Sequence, residues 1–176
     1  MNERVHFRAH DGRTFTFAEW VEYLKDHDTG DVYRTVEGFD FNVHGACLNP
    51  HVITINPEKR LNGILCYYDI RTYRLEVNLV NRNIVWWYDV FSMNCGAHAY
   101  GPTNPGDTED DAIRKALEVS AESIKKHIAW YERSIKADIE AWGHPTMGYG
   151  SDLARDRRML DLTREEYDNR IQLTLF

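Results

Sequence analysis

The chain has 176 residues with 28 acidic and 21 basic side chains, and the net charge of −7 excludes a broad basic face for non-specific contact with nucleic acid. A hydrophobic fraction of 43% with 12% aromatic residues excludes a disordered chain and predicts a real core. Cys47, Cys66 and Cys95 cannot all pair, the charged start MNERVHFRAHDG has no apolar segment, and no run reaches membrane-spanning length, so a soluble, cytoplasmic protein is expected.

The first element is a hairpin. RVHFRAHDGRTFTF alternates apolar and polar residues on both sides of Asp11-Gly12, a pair that supplies the positive φ angles of a tight turn. A helix follows, because Thr16 and Glu19 have capping-box spacing and Phe17, Trp20, Val21 and Leu24 share one helical face. This hairpin-helix accounts for residues 1–30. From Gly38 to Met93 the period is mostly two, which predicts a sheet within residues 36–100. FDFNVHG and HVITINPE read as short strands around GACLNP, and ILCYYDIRTYRLEVNLVNRNIVWWYDVFSM reads as a meander of three. Tyr73, Leu75, Val77 and Leu79 share a face there, and Asn81-Arg82-Asn83 suits a turn. Trp86, Tyr88 and Val90 alternate with Trp87, Asp89 and Phe91, so both faces of that strand are expected to be partly covered.

YGPTNPGD is the clearest punctuation in the chain. A long helix over residues 107–142 follows, capped by Thr108 or Asp107, with Glu109, Asp110 and Asp111 at its positive end. Its apolar stripe is Ile113, Ala116, Leu117, Ile124, Ile128, Tyr131, Ile135, Ile139 and Trp142. Such a helix spans about 50 Å, more than a small sheet covers. Its far end is therefore expected to overhang or to meet another chain, making a homo-oligomer. GHPTMGYG ends it. Two short helices, SDLARDRRML and TREEYDNR, are expected next, the second with a capping box at Thr163 and Glu166. Arg155, Arg157 and Arg158 read as a solvated helical face. The fold class is α+β: an antiparallel meander with a long amphipathic helix on one face, an N-terminal hairpin-helix and short C-terminal helices. Residues 1–142 form one domain in this reading, and residues 143–176 a helical extension with a hydrophobic tail.

Two short segments mirror each other. HGAC places His44 three residues before Cys47, and CGAH places Cys95 three residues before His98. Each pair has the spacing with which two side chains grip one metal, and together they would make a two-Cys, two-His set suited to structural zinc, with His51 as a spare ligand nearby. Such a closed site would support the fold without catalysing. The chain has no P-loop, no Rossmann glycine pattern, no HExxH and no Gly-x-Ser-x-Gly elbow, so a non-enzymatic protein is expected. The acidic run TEDDAIRK would repel phosphates, which disfavours nucleic acid as a partner.

The chain ends in NRIQLTLF. Gln172, Leu173, Thr174, Leu175 and Phe176 resemble the sliding-clamp-binding pentapeptide of bacterial replication and repair proteins, with Thr174 where Ser or Asp is commoner. The resemblance covers these five residues only. It implies an extended peptide that drives Leu173, Leu175 and Phe176 into a preformed apolar pocket, with Gln172 bonding at its rim. The alternation of Ile171, Leu173 and Leu175 with Gln172 and Thr174 equally suits an edge strand of the protein's own sheet. The first expectation is a phage or mobile-element accessory protein docked on a host sliding clamp. The second is an anti-defence protein that blocks a host nuclease complex by surface contact, and the third is a zinc-stabilised nucleic-acid-binding module.

Overall fold

The computed structural model describes residues 7–8, 13–16, 18–19, 22, 32–57, 60–61, 64–77, 82–93, 95–146 and 148–173. Two units are distinguished: Met1–His51 with Tyr73–Leu75, and Val52–Thr72 with Glu76–Phe176.

In the first unit, β1 (Phe7–Arg8) pairs antiparallel with β2 (Thr14–Phe15), placing Phe7 opposite Phe15, while Asp11 and Gly12, the expected turn, lie outside the described residues. The capping box also forms: the Thr16 N–H and hydroxyl each donate to Glu19 Oε2 at 2.8 Å. The Glu19 N–H returns a long 3.5 Å bond to Thr16 Oγ1. Ala18, Glu19 and Glu22 are helical, while Phe17, Trp20, Val21 and Leu24 lie outside the described residues. β3 (Arg34–Val36) and β4 (Phe39–Phe41) form a second hairpin, with Val36 opposite Phe39. Its two-residue turn, Glu37-Gly38, has φ of 46° and 88°, the doubly left-handed turn that matches strand twist. Phe41 is fully buried and meets Tyr73 edge-on, with ring centroids 5.5 Å apart.

The second unit holds β5 (His51–Ile55, of which His51 belongs to the first unit), the short pair β6 (Arg60–Leu61) and β7 (Ile64–Leu65), β8 (Tyr67–Glu76, apart from Tyr73–Leu75), β9 (Ile84–Met93) and β10 (Ala99–Pro102). The main sheet has the order β10-β9-β8-β5. β10 corrects the reading of YGPTNPGD as punctuation alone. Ala99 to Pro102 pair antiparallel with Val90 to Trp87, and Thr103 extends the ladder through its N–H and hydroxyl, both donated to the Trp86 carbonyl. Gly101 admits the Tyr88 hydroxyl at 3.4 Å from where a Cβ would sit. Tyr68, Ile70 and Thr72 are the buried positions of β8, alternating with half-buried Tyr67, Asp69 and Arg71. Tyr73, Leu75 and Val77, expected on one face, are each half-buried, and Leu79 lies outside the described residues.

Helix α1 (Glu109–Trp142) starts on a formed capping box: Thr108 and Asp111 exchange side-chain and backbone bonds, and three acids sit in the first turn. It ends where Gly143 takes a left-handed φ of 75° and returns its N–H to the Ile139 carbonyl. Ile113, Ala116, Leu117 and Ile124 pack with Tyr68, Ile70, Tyr88 and Val90 of the sheet. Antiparallel strands with a long helix on one face give the α+β class the patterns predict.

Helix α2 (Tyr149–Leu173) is one continuous helix rather than two short ones. Thr163 shows why. It does not cap a new helix but is buried in the middle of this one, donating to the Met159 carbonyl at 2.7 Å and bonding the Tyr68 hydroxyl at 2.8 Å. α2 runs antiparallel to α1: Arg170 reaches Asp110 at 2.9 Å at one end, and Tyr149 stacks with Trp130 and Tyr131 at the other. Beyond Tyr131, α1 outruns its partner. Ile139 and Trp142 are 49% and 69% exposed there, the overhang expected of so long a helix. Among the described residues, no helix is long and apolar enough to cross a membrane.

Candidate functional site

The two Cys-His segments lie in different units, and each has a local explanation. In the first, Asn42 Oδ1 accepts the His44 and Ala46 N–H groups at 3.0 Å, shaping the turn. His44 is exposed, Cys47 is half-buried with its thiol 3.8 Å from Asn49 Oδ1, and His51 packs against the Phe39 ring. In the second, Cys95 is fully buried and shares a 3.3 Å contact with Ser92 Oγ, while His98 is exposed. Burial raises the Cys95 thiol, and burial first, then the neighbouring Cys95, pushes Cys66 up to about 12. None of the three cysteines is in a disulfide. Among the described residues, no three His, Cys, Asp or Glu side chains gather where they could hold a metal ion.

The second segment has a different imidazole for a neighbour. Gly96, at φ 69°, lies against His127 of α1, so that a Cβ there would sit 2.6 Å from the His127 ring. Ser123, one turn earlier, donates its hydroxyl to the Gly96 carbonyl. The glycine of CGAH thus admits α1 to the loop between β9 and β10.

His127 also joins a polar cluster on α2. Its Nδ1 lies 3.3 Å from Oδ2 of Asp156, a completely buried carboxylate on α2. Oδ1 of the same carboxylate accepts Arg155 Nε at 2.8 Å, and Arg155, only 5% exposed, donates Nη1 to Asp152 at 2.8 Å and Nη2 to the Tyr131 hydroxyl at 3.4 Å. Burial lifts the Asp156 carboxyl above its usual range, and Arg155 and His127 pull it back. Burial would discharge Arg155, but its bond and charge pairing with Asp156 outweigh that and hold the guanidinium firmly protonated. Trp130 and Tyr149 complete an aromatic rim around Tyr131.

An imidazole with its Nδ1–H held by a carboxylate presents Nε2 as an acceptor, the arrangement of many general bases and metal ligands. One turn earlier on α1, the Ser123 hydroxyl is committed to the Gly96 carbonyl. The described contacts are those of a polar pin joining α1, α2 and the loop at Gly96. Arg155 is therefore not part of a solvated basic face, although Arg157 and Arg158 are exposed, paired with Glu132 and Glu165. The signal for the pin was Asp152-Leu153-Ala154-Arg155-Asp156, which puts two acids one helical turn apart with a cation beside them.

At the tail, α2 continues through Gln172 and Leu173, and Thr174, Leu175 and Phe176 lie outside the described residues. Ile171, Gln172 and Leu173 are helical, so they do not form the edge strand that their alternation allowed. Just before them, Arg170 binds both Glu166 and Asp110 at 2.9 Å, tying the last turn of α2 to the start of α1.

No family model matches the chain, and neither a curated protein nor a solved structure is detectably similar to it.

Proposed function

We propose that the protein is a non-enzymatic accessory protein that docks on a replication sliding clamp through Gln172, Leu173, Thr174, Leu175 and Phe176. The observation that carries this reading is the QLTLF sequence itself, four of whose five positions match the clamp-binding pattern. Its place in the chain supports the reading. The pentapeptide begins two residues after Arg170, whose ion pair with Asp110 ties α2 to α1. Docking in the extended form requires Gln172 and Leu173 to leave the final helical turn. Terminal turns fray at little cost, and a preformed apolar pocket repays it at about 1.5–3 kcal/mol per buried side chain.

The test is competition. The full-length protein is titrated into a bacterial clamp carrying a fluorescent clamp-binding peptide. Displacement is expected, weakened about tenfold or more by Leu175→Ala and by Phe176→Ala, since each removes one buried side chain. A protein that never displaces the peptide ends the proposal.

A further inference from the structure

We draw no further inference here: the strongest candidate, the surface patch on β8, β9 and β10 where the Arg71 guanidinium lies over the exposed Phe91 ring and Tyr100 is exposed, is an unpartnered sheet face, and nothing in the structure shows what covers it.

Discussion

In the first turns of α1, Ile113, Leu117 and Ile124 are sealed between the sheet and α2, whereas near its end Ile139 and Trp142 of the same stripe are 49% and 69% exposed. Periodicity alone does not separate the two ends: both carry apolar residues at helical spacing. What separates them is the presence of a neighbour. The sheet and α2 reach as far as Tyr131, and there the polar pin of His127, Arg155 and Asp156 closes the covered part. Hydrophobic spacing states which face of a helix is available for burial, and the surrounding chain decides how much of it is used.

The pin offers the largest way to break this contrast. Asp156→Ala removes the partner of an Arg155 that is 5% exposed, leaving a buried cation without its main counter-charge. Breaking one side of a buried pair costs about 3–5 kcal/mol, so the thermal midpoint should fall steeply. A midpoint near that of the wild type would mean that Arg155 reaches water and that the covered part of α1 ends earlier than Tyr131.

Next comes the packing itself. Ile124 is 0% exposed within the core, and Ile124→Ala is expected to cost about 3 kcal/mol in urea unfolding, from lost transfer energy plus the cavity left behind. A smaller effect follows from the start of the helix. Thr108→Ala deletes the side-chain half of the capping box, worth about 1 kcal/mol. This contribution depends on pH in a defined direction. The backbone and side-chain bonds from Thr108 hold the Asp111 carboxyl below its ordinary 3.8, so the folded state favours the carboxylate. The stabilisation is present above pH 3.8 and fades as pH falls through the lower folded value, so the gap between Thr108→Ala and the wild type should narrow in acid. A gap that stays constant would assign the effect to helix propensity.

Local chemistry was legible before any coordinates. Thr16 with Glu19, Thr108 ahead of an acidic turn and Gly143 after Trp142 each act within a few residues, and each is found in the structure. Long-range consequences were not. Thr163 has the spacing of a cap, but a tyrosine 95 positions away claims its hydroxyl and makes it an interior residue of α2. Gly96 of the CGAH segment gives no local sign that it lies against the ring of His127, 31 residues later. Arg155 resembles its exposed neighbours Arg157 and Arg158, and only the packing of α2 on α1 separates them. The tail stands between these cases, because its sequence resembles a docking peptide while its first residues, Gln172 and Leu173, continue α2.

The smallest expected effect is the most informative about the two ends of α1. Ile139→Ala makes the same chemical change as Ile124→Ala, on the same helix and the same stripe, 15 positions later. At half exposure the lost burial is modest, and the gain from placing alanine in a helix offsets part of it, so dilute protein should change by no more than about 0.5 kcal/mol. The ratio of the two costs measures how far cover extends along α1. If Ile139→Ala proved as costly as Ile124→Ala in dilute solution, the overhang would be buried within a single chain.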